Sequence, residues 1–299
     1  MWLLYSFLAP AFFSAAEIID NFFSNKKFKH PSALIFYSSL FNIIYVPVLF
    51  IFQRPTIPPL STVPIFICLG LVGFGYLYPY YKALKYDDTS VAISFLAIER
   101  LLVPILAFLI VGEVLAPIQY VGILLIISSV VALGLHHAKG KFKFSKGLWY
   151  IAFASLLLAL EGVIQKLLFD KGLNLSTVIG GESLISLILG VSIIMNPRAR
   201  REIRSLFGTF IKLSPIFLVE ELLTFLGSVT EGAAISLASV SIVKGITMSS
   251  PFFLILYAWL GSSMFPTLFK ENLHRKNVLH KVMFFIVLII GVVLVQLSD

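Results

Sequence analysis

The sequence predicts an all-α polytopic membrane protein whose ten transmembrane helices form two inverted five-helix repeats. Three observations predict it: the composition, ten apolar runs joined by short links, and a faint internal self-match. Of 299 residues, 59% are hydrophobic and 13% charged, whereas soluble domains run at about 45–50% and about 25%. Twenty-eight residues are Phe, and the mean hydropathy is +0.97. A water-soluble globule could not place that much apolar surface without aggregating. No polar stretch is long enough for a large soluble enzyme domain. Nor do the runs alternate as the strands of an outer-membrane barrel do. The single cysteine, Cys68, leaves neither a disulfide framework nor a cysteine metal cluster.

A bilayer is crossed by about 20 apolar residues in a helix. Runs of that kind lie near 2–23, 32–52, 62–82, 89–111 and 117–137, then near 147–168, 175–195, 209–231, 237–262 and 280–297. The first has its basic cluster (Lys26, Lys27, Lys29) behind it and none in front, so it reads as a span and not a cleaved leader. The second stops at Arg54-Pro55-Thr56-Ile57-Pro58-Pro59, a run of helix breakers. The third contains Pro79, the fourth Glu99-Arg100 and Pro104, and the fifth ends before a basic loop at Lys139, Lys141, Lys143 and Lys146. The sixth carries Glu161 and Gln165, and the seventh carries Glu182 and stops at Asn196-Pro197. Glu220-Glu221 lie within the eighth, and Lys244 and Pro251 within the ninth. Trp2, Trp149 and Trp259, near span ends, are expected as interfacial anchors.

The loops after odd-numbered spans hold nearly all the Lys and Arg, while those after even-numbered spans hold only Arg54 and Lys171. Cytoplasmic loops retain basic residues. The odd loops are therefore expected in the cytoplasm of a bacterial inner (plasma) membrane, with both termini on the far side. The net charge of +8 is read as this topology signal, with no nucleic-acid partner.

Sliding the chain by 144 places Ala15-Ala16-Glu17-Ile18-Ile19 over Ala159-Leu160-Glu161-Gly162-Val163, Asn21 over Gln165, Ser32 over Ser176 and Ser39 over Ser183. A slide of 151 places Pro64 over Pro215 and Ser90-Val91 over Ser241-Ile242. Two units follow, 1–140 and 141–299. Five spans are an odd number, so the second unit must cross the bilayer in the opposite sense. Inverted repeats of this kind recur in secondary transporters, with a site near the midplane between the halves.

A charge at the bilayer centre costs about 2.5–3.5 kcal/mol on insertion scales, so each needs a partner, a cavity or a function. Glu17 and Asp20 share a face of the first span, as Glu161 and Gln165 do of the sixth. Adjacent side chains point about 100° apart on a helix. Arg100 is therefore expected to reach a carboxylate on another helix, Glu17 or Glu161, in preference to Glu99. Acids outnumber bases within the spans, so the surplus is protonated, solvated in a cavity or engaged by a cationic ligand. The expected substrate-binding residues are Glu17, Glu99, Arg100, Glu161, Glu220 and Ser249. Pro79, Pro104 and Pro251 are expected to kink their helices, since proline removes a hydrogen bond to the carbonyl four residues earlier. Thr247-Met248-Ser249-Ser250-Pro251 is read as a cavity lining or as a packing kink of small residues. His136-His137 and His274 with His280 lack metal-site spacing, and Asn174-Leu175-Ser176 fits a glycosylation sequon. No metal and no cofactor is expected.

The mid-span Pro104, the Gly112-Glu113 that ends its helix, Gly122 in the following span and Tyr81-Lys82-Ala83-Leu84 resemble the drug/metabolite transporter superfamily, particularly its EamA-like branch. In the second half the pattern is looser, reading Lys270-Glu271-Asn272-Leu273 and then Ile289-Ile290-Gly291-Val292-Val293-Leu294. The resemblance implies a transporter of small organic solutes but carries over no substrate site. Related proteins are drawn with cytoplasmic termini; the charge count of this chain points the other way and is adopted here.

The sequence thus predicts a non-enzymatic secondary transporter working by alternating access, monomeric or homodimeric and in contact with membrane lipid. Its solute would be an amino acid, metabolite or drug-like compound, with a coupled proton or counter-solute. No nucleotide-binding motif suggests direct drive by ATP. The rival reading, a transferase or flippase acting on a lipid-linked substrate, has only Asp87-Asp88 for a diphosphate or metal motif.

Overall fold

The computed structural model describes residues 1–28, 30–86, 97–137 and 146–261, together with residues 283, 286–287 and 289–294 near the C-terminus. Among the described residues the chain is helical apart from short connections, with no strand. Asp87-Asp88, Lys270-Glu271-Asn272-Leu273, His274 and His280 lie outside them.

The helices are α1 (Trp2–Phe22), α2 (Pro31–Phe52), α3 (Val63–Gly75), α4 (Leu77–Tyr86), α5 (Ala97–Val111), α6 (Pro117–His137), α7 (Lys146–Asp170), α8 (Leu175–Ser192), α9 (Pro197–Leu237), α10 (Val240–Thr247) and α11 (Ser250–Gly261). Residues 289–294 form a further helical segment. Among the described residues, five stretches are long and apolar enough to cross a membrane: Trp2–Phe22, Pro31–Phe52, Leu60–Leu84, Gly147–Asp170 and Leu175–Met195. Pro117–Ser129 and Val240–Leu254 are shorter apolar helical stretches.

Helix starts follow local chemistry. Pro31 opens α2 at a position where the missing N–H costs nothing. Asn174 caps α8, accepting hydrogen bonds from the Thr177 N–H at 3.0 Å and hydroxyl at 2.6 Å, while its amide donates to the Arg54 carbonyl at 2.7 Å. The sequon-like triplet is thus occupied structurally as a helix cap.

Two of the three prolines mark breaks. α3 gives way to α4 at Tyr76, three residues before Pro79. The expected ninth span is two helices, broken at Met248-Ser249. There Pro251 withholds its N–H from Thr247, and the Ser250 hydroxyl supplies a donor to that carbonyl at 3.1 Å. The Ser14 hydroxyl in turn donates to the Ser250 carbonyl at 2.9 Å. Pro104 leaves α5 continuous.

The eighth span is longer than the 209–231 expected. α9 runs 41 residues from its Asn196 cap, and the presumed basic loop at Arg198, Arg200, Arg201 and Arg204 is its first three turns. Ala199, Ile203, Phe210 and Phe217 bury one face of this extension. Tyr37 stacks on Phe210 with centroids 4.0 Å apart, and Phe23 stacks on Phe217 at 4.1 Å. The Tyr37 hydroxyl donates to the Ile203 carbonyl at 2.6 Å. These tertiary contacts hold as helix a stretch whose charges alone suggest a loop.

Helix pairing is reciprocal. α1 packs along α9 and against α10 and α11, while α7 packs along α3 and α4 and against α5. α2 meets α8 and α9, and α8 meets α2 and α3. Between α5 and α10 lies a polar clasp. α5 ends at Gly112, whose φ of +70° lies in the left-handed region that favours glycine. The turn delivers Glu113 to the start of α10. There its carboxylate accepts from the Ser239 hydroxyl (2.8 Å) and from the N–H groups of Val240 (2.9 Å) and Ser241 (3.2 Å). A carboxylate satisfying the open N–H groups of a helix start is favoured by hydrogen bonding and by the helix dipole. Glu113→Ala is expected to cost about 1–3 kcal/mol, read as an earlier unfolding midpoint in detergent with Glu113→Asp partly restoring it.

Candidate functional site

Helical periodicity brings polar side chains from eight elements, Ser38 of α2 among them, to one cavity of about 150 Å³. α1 contributes Phe13, Ala16, Glu17 and Asp20, a single stripe at spacings of three and four. α9 contributes Glu220, Thr224, Ser228 and Glu231, and α7 contributes Leu158, Glu161 and Gln165 on the same principle. Tyr80 and Tyr81 enter from α4, Glu99 and Arg100 from α5, Lys244 from α10 and Ser250 from α11. A second cavity of about 100 Å³ adjoins it, sharing Ser38, Tyr76, Leu77, Glu161, Thr224 and Ser228 and adding Glu182 and Glu221.

The bases are tied to acids at one side. Lys244, 4% exposed within the fully buried α10, places its ammonium 2.8 Å from Glu231 Oε2 and 3.3 Å from Glu99 Oε1. Gly162 of α7 leaves room for the lysine arm, since a Cβ there would come within 2.6 Å of Lys244 Cε. Arg100 forms an ion pair with Glu99, and its Nε donates to the Lys244 carbonyl at 3.4 Å. The expectation that sequence neighbours cannot neutralise each other is therefore corrected. The 100° between their Cβ directions is bridged by the length of the arginine arm, and Glu99 sits between both cations.

The other acids have hydroxyl and amide partners, and Glu161 pairs with Glu182 and Glu220 with Glu221 carboxyl to carboxyl. The Tyr81 hydroxyl donates to Asp20 at 2.9 Å, and the Thr224 hydroxyl donates to Glu220 at 3.0 Å. In the adjoining cavity Gln165 donates to Glu182 at 3.0 Å, and Glu221 accepts from Ser38. One buried oxygen on Glu17 and one on Glu161 have no hydrogen-bond partner.

Five of the six expected binding residues, Glu17, Glu99, Arg100, Glu161 and Glu220, come together in this cavity. Ser249 does not line it; it is 1% exposed with an unpartnered hydroxyl, and its neighbour Ser250 reaches the wall instead. Of the proline-flanked segments, Tyr76, Leu77, Tyr80 and Tyr81 around Pro79 line the cavity, as does Ser250 beside Pro251. Glu231 was missed because the eighth span was drawn to stop there. The spacing of Glu220, Thr224, Ser228 and Glu231 along one helical face is the signal that finds it. Among the described residues no group of three or more His, Cys, Asp or Glu has a metal-holding arrangement.

Residues 1–135 match the EamA-like transporter family. Pro104, Gly112-Glu113, Gly122 and Tyr81-Lys82-Ala83-Leu84 all fall inside the EamA-like match. The matched family is one of transporters, and the long apolar helices, with this match, point to an integral membrane protein. A solved crystal structure of another protein is similar at a TM-score of 0.71 and 15% identity, over 99% of this chain and 96% of that one. At such identity the likeness shows the fold alone. No curated protein matches.

Proposed function

We propose that the protein is a secondary transporter that moves a small organic solute by alternating access, with the two adjoining cavities as its mid-membrane site. The observation that carries this reading is the pair Glu17 and Glu161. They are superposed by the 144-residue slide, stand on opposite halves of the chain and line one cavity. Two inverted units, 1–140 and 141–299, account for that placement. They also account for the reciprocal packing, because exchanging the halves turns the α1–α9 contact into the contact of α7 with α3 and α4. Rocking one unit against the other would open the cavity to each side in turn. A proton or a counter-solute balances the movement of charge. The Lys and Arg bias supports odd loops in the cytoplasm of a bacterial inner membrane, with the basic start of α9 on that side.

Counterflow tests the reading. Full-length protein in liposomes is expected to exchange at least one solute from a panel of amino acids, amines, nucleotides and cofactors, saturably and without ATP. Alternating access adds a second readout. With Cys68, the sole cysteine, replaced by Ser, Ser228→Cys is expected to react with a membrane-impermeant thiol reagent from either face, with saturating solute changing the two rates in opposite directions. A panel that leaves every solute unexchanged, or labelling from one face alone, would overturn it.

A further inference from the structure

Charge counting around the site narrows the solute. The larger cavity is lined by six carboxylates (Glu17, Asp20, Glu99, Glu161, Glu220, Glu231) and by two bases, Arg100 and Lys244. Both bases already face Glu99, and Lys244 faces Glu231 as well. Four further acids line it, Glu17 within electrostatic reach of Arg100 and Glu161 within reach of Lys244, so acids still outnumber bases, and the adjoining cavity adds Glu182 and Glu221. In a low-dielectric interior such an excess is held down only by protons or by a cation. The buried oxygens of Glu17 and Glu161 that lack hydrogen-bond partners are acceptors awaiting donors. An anion without donors would leave them so, and a neutral hydroxyl would partner them without offsetting their charge. Tyr76 and Leu77, on the wall shared by the two cavities, put an aromatic face and an apolar side chain between the acidic ends. That is a surface for methylene groups and for a cation over a ring.

We infer that the solute is an organic cation bearing N–H donors, an amine or guanidine, held between Glu17 and Glu161 and long enough to extend into the lobe at Glu182 and Glu221. This rests on reading the cavities as the transport site. An ammonium beside either carboxylate meets a charge of opposite sign, and a second amine on the same molecule meets the second acidic lobe. A dicarboxylate would add two negative charges to a lining where six carboxylates already face two bases.

Four compounds with the same four-carbon chain test the assignment: 1,4-diaminobutane, 4-aminobutyrate, succinate and 1,4-butanediol. Liposomes holding the full-length protein are expected to exchange radiolabelled 1,4-diaminobutane, with other amines competing and with succinate and butanediol neither competing nor moving. Glu17→Gln and Glu161→Gln are each expected to lower that exchange about ten- to a hundredfold, the loss of one charge-assisted hydrogen bond. Glu17→Asp should retain more exchange than Glu17→Gln, and all variants should remain monodisperse with unchanged unfolding midpoints. Thermal stabilisation of the detergent-solubilised protein by 1,4-diaminobutane, lost in Glu17→Gln, reads binding separately from flux. Exchange of succinate or butanediol without the diamine would overturn the cation assignment and leave the transporter reading standing. Binding of the diamine without exchange of any solute would uphold the cation site and end the transporter reading. Neither binding nor exchange of the diamine, or full exchange by both Gln variants, would overturn the inference.

Discussion

Replacing Lys244 with methionine is expected to destabilise the protein by about 3–5 kcal/mol, the usual loss when one partner of a buried ion pair is removed and the other stays charged. The ammonium lies 2.8 Å from Glu231 and 3.3 Å from Glu99. Methionine fills nearly the same volume, so packing along the buried α10 is retained and the missing charge is isolated as the cause. Arg100 still faces Glu99 in the variant. The larger share of the loss therefore falls on Glu231, which is 7% exposed. Unfolding midpoints in detergent, by intrinsic fluorescence or by size exclusion after heating, would measure it. The double variant Lys244→Met with Glu231→Gln should recover much of the loss, because the orphaned charge goes with the lysine. A single variant as stable as the parent would show that these carboxylates need no cation.

Gly291→Leu is expected to cost about 3 kcal/mol, the upper end for overpacking a close-packed contact. A Cβ on Gly291 would stand 2.7 Å from the Gly122 carbonyl oxygen and 3.1 Å from the Ile126 backbone nitrogen. Those atoms belong to the backbone of α6, so no rotamer change relieves the collision and the two helices must separate. Between helices in lipid such close approach supplies much of the association, for which the smallest residues are favoured. Gly291→Ala should fall between the parent and Gly291→Leu. Equal midpoints for all three proteins would mean that this contact bears no load. Gly122 and Gly291 were singled out on opposite halves of the chain by the family resemblance, and they meet here in one crossing.

The acidic site was legible before the fold because charges inside apolar runs are costly enough to be informative one at a time. Glu17, Glu99, Arg100, Glu161 and Glu220 stand out against their neighbours in the sequence, and the cavity gathers all five. What the sequence hid depends on partners distant in the chain. The first turns of α9 look like a basic loop until Tyr37 and Phe23 are placed on Phe210 and Phe217. Glu113 reads as the end of one helix, yet its carboxylate serves the start of another more than 120 residues later. The Glu99–Arg100 pair was misjudged because Cβ directions set where a side chain begins and not where a long one ends.

The unbroken run of α9 has a mechanical consequence. Forty-one residues at about 1.5 Å each make a rod of about 60 Å, with Glu220 and Glu231 at the cavity and Arg198 to Arg204 beyond the aromatic stack. No proline hinge interrupts it, since Pro215 is carried within the helix. Such a rod transmits rotation without bending. A tilt of about 10° pivoting near Glu220 would sweep its basic end, about 30 Å away, through about 5 Å. The event of filling the cavity would then be displayed at the membrane surface, and a probe on the exposed Phe207 position would report on a solute that it never touches.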